Sequence, residues 1–280
     1  MSSGFNSGDL IRDGAQQWPA RGNGAAHGDN AAARPAPSVA RVGIEKAKGA
    51  GESPSMKRLL ANRLLGALPD EDFARLLPGL EPVSLTTRDN LHEPLGGMRY
   101  AYFPEDAVIS HLTAFADGSA AEVALTGREG VAGLGAVLGR QPASHWTRVT
   151  VPGSALRVRV ELLAGEFCAS APFRRLLLEH AGRHLAQVAQ RSACANRHRL
   201  SERLAAWLLL VQERAGSDEL ALTQELIANR LAARRAGVTQ IACGLQQRGL
   251  IRYGRGLIRI LDRPGLESAA CECYGVLRDN

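Results

Sequence analysis

The side chains best suited to chemistry lie between residues 222 and 263, a window rich in Arg and Gln. This window holds eight Arg against only Glu225 and Asp262, so its net charge of +6 equals that of the whole chain. A guanidinium group can form paired hydrogen bonds with phosphate or with a guanine edge, and a Gln amide can pair with adenine. The window therefore indicates a polyanionic partner.

A helix-turn-helix pattern runs from Thr223 to Gln246 within this window. Counted from Gln224, the pattern needs a small residue at the fifth place, a turn residue at the ninth, and apolar residues at the fourth, eighth, fifteenth and eighteenth. The matching residues are Ile227, Ala228, Leu231, Ala232, Val238 and Ile241. Ala232 stands where Gly is usual, so a positive φ there would be strained. An ordinary helical hairpin with a solvated charged face is the alternative.

The second helix of this pattern is predicted to read DNA bases. Its apolar stripe would comprise Val238, Ile241, Ala242 and Leu245. The opposite face is expected to reach base edges in the major groove through Arg235, Ala236, Thr239 and Gln240.

A β-hairpin is predicted directly after this helix, over residues 249–261 (GLIRYGRGLIRIL). Gly254 and Gly256 flank an Arg at its tip, as in the wing of a winged helix-turn-helix. A wing in this position argues against the alternative of an ordinary helical hairpin. The residues expected to contact DNA phosphates are Thr223, Arg234, Arg252, Arg255 and Arg259.

The elements before this unit must position it. Between about residues 83 and 163, short β-branched or alternating segments are separated by turn residues, which predicts a compact antiparallel roll whose last strand spans 155–162. Short helices are expected at 69–77 and at 200–215, the latter ended by Gly216.

A long helix is predicted from Pro172 onward, and it carries a second regularity. Apolar or small residues recur at steps of three and four: Leu178, Ala181, Leu185, Val188, Ser192 and Ala195. This spacing is typical of a coiled-coil seam and predicts a parallel homodimer. The alternative is a helix packed only on its own domain.

The composition excludes several classes of protein. No apolar run approaches the ~18 residues of a membrane span, and the N-terminus lacks a signal-peptide pattern, so a cytoplasmic protein without membrane contact is expected. Five Cys are too few and too scattered for a disulfide framework. Residues 1–55, rich in Gly, Ala and Pro, are predicted to be a disordered tail. A start at Met56 would still give a complete globular protein.

The order of roll, long helix and winged helix-turn-helix resembles the Crp/Fnr family of bacterial transcription regulators over about residues 56–274. The strings that carry the resemblance are NRLLGALP (62–69), AYFPEDAVIS (101–110), GREGVAG (127–133), SACANRHRLSERLAAWLLL (192–210), LTQELIANRLAARRAGVTQ (222–240) and LIRYGRGLIRILDRPGLE (250–267).

After the predicted tail (1–55), the resemblance implies an α+β fold in three parts. These are a cyclic-nucleotide-binding-like antiparallel β-roll that senses an effector (56–171), a dimerisation helix (172–199) and a winged helix-turn-helix DNA-binding domain (200–280). It also implies a homodimer on an inverted-repeat double-stranded DNA operator, an unknown small-molecule effector, and RNA polymerase as a further partner.

The family's cyclic-nucleotide pocket is degenerate in this sequence. The matching positions are Gly130 with Val131, where the family has Glu, and Ala143 with Ser144, where the family has Arg before Ser. Without that Arg a buried phosphate would lack a counter-charge, so cyclic AMP is not the expected effector. Arg140 is the one Arg near enough in sequence to replace it.

No metal, cofactor or enzymatic activity is expected from the sequence. His180 with His184, and Cys194 with His198, have the i,i+4 spacing of metal ligands, but no third ligand is apparent. Cys271 and Cys273 are interpreted as structural, because one intervening residue is poor spacing for a shared tetrahedral site. A different class of function stays open, namely a ligand-binding or scaffold protein whose basic C-terminus engages RNA or a protein.

Overall fold

The computed structural model describes the following residues: 57, 60–87, 89–94, 96–117, 119–139 and 145–279. The predictions for the tail 1–55 and for Arg140, Ala143 and Ser144 concern positions outside this set. Among the described helices, none combines the length and apolar character needed to cross a membrane.

The N-terminal half is the antiparallel roll that the alternating segments predict. Two short helices, α1 (Arg63–Gly66) and α2 (Asp70–Leu76), precede it. The strands are β1 (Glu81–Leu85), β2 (Asn90–His92), β3 (Tyr100–Pro104), β4 (Val108–Ala114), β5 (Ala120–Thr126), β6 (Trp146–Val151) and β7 (Gly153–Arg159). They form two antiparallel sheets, in the orders β1-β7-β3 and β2-β6-β4-β5. Helix α3 (Leu134–Gly139) lies between β5 and β6.

The prediction that the last strand spans 155–162 is wrong at the C-terminal end. Strand β7 ends at Arg159, and Val160–Ala169 form helix α4. The buried residues of this segment recur every three residues, at Val160, Leu163 and Glu166, which is a helical spacing. The predicted strand ended at residue 162, so it included too little of this repeat to show it. Strand β2 was not predicted because its three residues, Asn90 to His92, include two polar ones.

The long helix α5 spans Ala171–Arg197, one residue earlier than predicted. The Ser170 hydroxyl caps it by accepting the Phe173 N–H at 3.2 Å. Phe173 and Leu177 are fully buried in the core of the roll, together with Phe73 and Phe103. The start of α5 is therefore fixed rigidly to the roll.

The C-terminal part packs around helix α6 (Leu200–Ala215), which ends at Gly216 in the left-handed conformation, φ +70°. Trp207 of α6 lies fully buried in this second core. The remaining elements are β8 (Glu219–Leu220), α7 (Gln224–Arg230), α8 (Arg235–Gln247), β9 (Ile251–Gly254), β10 (Leu257–Ile260), α9 (Arg263–Ala269) and α10 (Cys273–Asp279).

Candidate nucleic-acid interface

Helices α7 and α8 form the helix-turn-helix that the sequence predicts. The Thr223 hydroxyl caps α7 by accepting the Leu226 N–H at 3.2 Å. Ala228, at the small-residue position, is buried where the helices meet. The turn residue Ala232 has φ +49°, so an L-residue occupies the left-handed conformation there. The tight turn is kept despite a strain of about 1 kcal/mol.

Helix α8 has one buried and one exposed face. Val238, Ala242 and Leu245 are buried, and Ile241 is partly buried against them. The predicted base-reading face is open to solvent: Arg235, Ala236, Thr239 and Gln240 are all exposed. The Thr239 hydroxyl donates to Gln224 Oε1 at 2.6 Å, so this side chain also ties α8 to α7.

Strands β9 and β10 form the predicted wing, with β8 as a third strand. Its turn residues Arg255 and Gly256 have φ +51° and +77°, the conformation of a two-residue hairpin turn with both central residues left-handed. Gln246 Oε1 of α8 accepts the Tyr253 N–H at 2.7 Å, which fixes the wing to α8.

The side chains predicted to bind phosphate lie beside this face. They are exposed without exception: Thr223, Arg234, Arg252, Arg255 and Arg259. Arg259 Nε lies 3.5 Å from Glu219 Oε1, a solvent-exposed pair worth little energetically.

Two of the eight Arg in the basic window are engaged within the protein, one of them buried and the other ion-paired at the surface, so fewer than eight face a partner. Arg230 is buried and donates through Nε to Thr150 Oγ1 of the roll at 2.9 Å. Arg263 Nη2 lies 2.7 Å from Glu213 Oε1. The positive charge available to DNA is therefore smaller than the window suggested, but it is concentrated on α8 and the wing.

A buried carboxylate, Glu122 of β5, joins the roll to the C-terminal domain. Trp207 Nε1 donates to Glu122 Oε1 at 2.7 Å, and Arg191 Nη2 of α5 lies 2.8 Å from the same oxygen. Arg230 lies 3.9 Å from the other oxygen. Burial lowers the pKa of Arg230 to about 10 and also lowers that of Arg191, so both cations depend on this carboxylate. No pattern in the sequence pointed to Glu122, which looks like an outward position of an alternating strand.

Two residues of the predicted degenerate effector pocket, Gly130 and Val131, lie where the roll faces α5. Gly130 faces His180 so closely that a Cβ there would come within 2.1 Å of His180 Cε1. The backbone N–H of Val131 lies 3.2 Å from His180 Nε2. Val131 borders a cavity of about 330 Å³. Among the described residues that line this cavity there is no Arg, Lys, Asp or Glu.

Among the described residues that line this cavity, the polar side chains are those of His and Thr. His111 Nδ1 lies 2.9 Å from His145 Nε2, and His111 Nε2 lies 2.9 Å from Thr126 Oγ1. Burial lowers the pKa of His111 well below its usual value, and burial together with neighbouring His lowers that of His184 to about 4. At pH 7 these rings are neutral, so the cavity presents an apolar wall with neutral hydrogen-bonding groups.

Helix α5 has two distinct faces. One is buried in its own chain and includes Phe173, His180, Gln187 and Cys194. The predicted seam lies on another face, formed by Leu178, Ala181, Leu185, Val188, Ser192 and Ala195. Leu178 and Leu185 are 50% and 70% exposed. Packing on its own domain therefore accounts for one face of the helix but leaves most of the seam exposed.

Four metal-binding side chains that sequence reasoning kept apart are neighbours in the structure. The ligand atoms of Cys194, His198, Cys271 and Cys273 all lie within 4.8 Å of one another. In the sequence, Cys194 and His198 have no further ligand nearby, because Cys271 and Cys273 follow about 75 residues later. The packing of α10 against α5 brings the two pairs together. The one-residue spacing of Cys271 and Cys273, interpreted from the sequence as poor for a shared site, still brings both sulfurs into this cluster.

Comparisons with known proteins agree with this geometry. Residues 202–269 match the family model of the Crp-like helix-turn-helix domain. No curated protein matches the sequence. Among solved structures, a Crp/Fnr-family transcriptional regulator from Eubacterium rectale ATCC 33656 is 20% identical, with 74% of this chain and 96% of that chain covered and a TM-score of 0.56. FixK2 from Bradyrhizobium japonicum is 17% identical, with coverages of 69% and 98% and a TM-score of 0.59.

A Crp/Fnr-family transcriptional regulator from Thermus thermophilus is 24% identical, with 68% of this chain and 98% of that chain covered and a TM-score of 0.55. These likenesses show a shared fold. The resemblance inferred from the sequence is thus confirmed in the fold and in the Crp-like helix-turn-helix domain at residues 202–269.

Proposed function

We propose that this protein, which carries a Crp-like helix-turn-helix domain, is a transcription regulator that binds an inverted-repeat DNA operator as a homodimer. The observation that carries the proposal is the exposed face of α8, where Arg235 and Gln240 stand beside a wing tipped by Arg255. Such a helix fits the major groove, and a wing of this kind reaches the neighbouring phosphates.

The conformation of Arg255 supports a role in DNA binding. Arg at φ +51° is strained by about 1–2 kcal/mol relative to Gly, and the side chain is exposed, so no packing contact offsets the strain. Strain of this kind is typical of functional positions. A cation at the wing tip is what a phosphate contact requires.

The seam on α5 supports dimerisation. An exposed Leu with small residues at coiled-coil spacing fits a second copy of the same helix. A two-fold dimer would place its two recognition helices about 34 Å apart, so the operator would have half-sites one helical turn apart.

The cavity between the roll and α5 is the proposed effector site, and its chemistry favours a neutral, largely apolar small molecule. The cavity is also lined by Ala181, Leu185 and Val188 of the seam. A bound molecule would therefore touch both the roll and the dimer contact, which is a direct route from effector to dimer geometry.

Cyclic AMP is expected not to bind this cavity, because the lining residues within the described part of the chain provide no cation for its phosphate. Isothermal titration calorimetry of the full chain with cyclic AMP tests this. No heat of binding is expected up to millimolar nucleotide. A micromolar dissociation constant that is lost in Arg140→Ala would show that the pocket contains the phosphate-binding Arg after all.

DNase footprinting on the DNA upstream of the protein's own coding sequence tests the proposal as a whole. The expected result is a protected inverted repeat, competed weakly by unrelated DNA. RNA binding with no preferred DNA site would instead support the scaffold alternative. Only one aromatic residue, the half-buried Tyr253, lies in the basic window, so there is little surface for stacking RNA bases.

A further inference from the structure

We propose that Cys194, His198, Cys271 and Cys273 form a tetrahedral Zn²⁺ site that ties the end of the dimerisation helix to the C-terminal helix. Three thiolates and one imidazole are a common ligand set of structural zinc. The site uses none of the residues assigned to DNA or effector binding, so the two proposals stand or fall separately.

The spacing of the ligand atoms fits a single ion. Tetrahedral zinc with sulfur at about 2.3 Å places its ligand atoms roughly 3.5–3.8 Å apart. Cys194 Sγ lies 3.6 Å from Cys271 Sγ, and Cys273 Sγ lies 3.5 Å from His198 Nδ1. All four ligand atoms fall within 4.8 Å of one another, so only small side-chain adjustments would close the tetrahedron.

The groups around the four side chains have the arrangement expected of a zinc site. Glu272 Oε1 lies 3.1 Å from His198 Nε2, which leaves Nδ1 facing the sulfurs. A carboxylate on the far nitrogen of a ligating His fixes the ring and makes it a better donor. The Gln190 amide donates to Cys273 Sγ at 3.0 Å, a hydrogen bond that stabilises a thiolate.

The backbone also holds the ligands in place. Cys194 and His198 are one helical turn apart, linked by the His198 N–H to Cys194 C=O bond at 3.0 Å. Cys271 and Cys273 lie across the start of α10. Three of the four side chains are buried, with exposures of 9% for Cys194, 6% for Cys271 and 2% for Cys273.

A disulfide explains this cluster less well. A bond between Cys194 and Cys271 would use only two of the three sulfurs. It would not explain why Cys273 and His198 also lie within 4.8 Å of them. The two Cys outside the cluster, Cys168 and Cys243, are exposed and lie apart from it. A metal uses all four donors at once and needs no oxidant.

The position of the site suggests what the ion would do. Helix α5 carries the predicted dimer seam, and α9 and α10 pack on α6 of the helix-turn-helix domain. An ion held from both sides would restrict rotation of this domain about the junction at residues 198–200.

Metal analysis of the full-length protein, expressed in zinc-supplemented medium and purified without chelator, tests the proposal. About one zinc ion per chain is expected, with X-ray absorption showing about three sulfurs at 2.3 Å and one nitrogen at 2.0–2.1 Å. Replacing the ion by Co²⁺ should give the visible absorption of a tetrahedral, thiolate-bound cobalt. This readout needs neither DNA nor effector.

Variants separate the site from adventitious binding. Cys271→Ser and His198→Gln should each lose most of the bound zinc, whereas the matched control Cys168→Ser, at an exposed Cys outside the cluster, should keep it. Wild-type protein without bound metal that also fails to take up Zn²⁺ on dialysis would overturn the proposal. So would a Cys194–Cys271 disulfide in protein kept under reducing conditions, or stoichiometric iron in place of zinc.

Discussion

A charge placed in the seam of α5 should convert the dimer to monomer, and Leu185→Glu is the sharpest such change. Leu185 is 70% exposed in the single chain, so the monomer can accept Glu there with little loss of stability. The same side chain would lie in the middle of the contact between two α5 helices. The substitution therefore acts on the dimer and hardly on the fold.

The magnitude follows from the exposed fraction. Fully burying a Leu contributes about 2 kcal/mol, so covering the 70% exposed here contributes about 1.5 kcal/mol per chain and about 3 kcal/mol per dimer. Since 1.4 kcal/mol is a factor of ten, removing this burial alone weakens dimerisation by about 100-fold. Two like charges facing each other in an apolar interface weaken it further.

Sedimentation equilibrium of the purified variants measures this directly. Leu185→Ala should raise the dissociation constant by about 100-fold or less, and Leu185→Glu by more. Ala193→Glu is the control, because Ala193 is exposed on the same helix but points away from the seam. A dimer that survives Leu185→Glu unchanged would refute the seam, and an equal effect of Ala193→Glu would show that charge on the helix, not its position, is responsible.

Two further predictions concern buried charge and pH. Glu122→Gln leaves Arg191 and Arg230 buried without a carboxylate, so urea titration should show a loss of about 3 kcal/mol of unfolding free energy; a loss below about 1 kcal/mol would mean that the network is unimportant. The folded-state pKa of His184, about 4, lies below its usual 6.5, so the unfolded chain binds more protons between these values and stability should fall as the pH drops from 6.5 to 4. His184 accounts for at most about 3 kcal/mol of this fall, and an unchanged pH slope in His184→Gln would contradict the assignment.

The sequence was sufficient for features that depend on local pattern. The helix-turn-helix, the wing and the seam each show a periodicity or a turn within 30 residues, and the structure has the elements where the pattern places them. Even the unusual Ala232 was recognisable, because the turn position is defined by its neighbours along the chain.

The features that were missed depend on contacts between distant segments. Arg230 looked like one more DNA-facing cation, but its helix lies against the roll, where Thr150 and Glu122 hold it. The cluster of three Cys and one His combines residues from two segments about 75 positions apart in the sequence, 194–198 and 271–273. Side-chain type alone does not say which of such residues meet, because the packing of whole elements decides it.

The central claim is that α8 reads bases while the wing holds phosphates, and operator binding by Arg235→Ala and Arg255→Ala tests it most directly. Fluorescence anisotropy would be measured across salt concentrations and single-base operator variants, with Arg175→Ala, on the exposed start of α5, as the control. Arg235→Ala should cost about 1–3 kcal/mol on the true operator and relax preference at one base pair per half-site. Arg255→Ala should weaken all sequences alike and reduce the salt slope by about 1 for each phosphate that is no longer bound. If Arg235→Ala changed only the salt slope and Arg255→Ala changed base preference, the roles would be reversed, and if neither affected binding, this surface would not be the DNA interface.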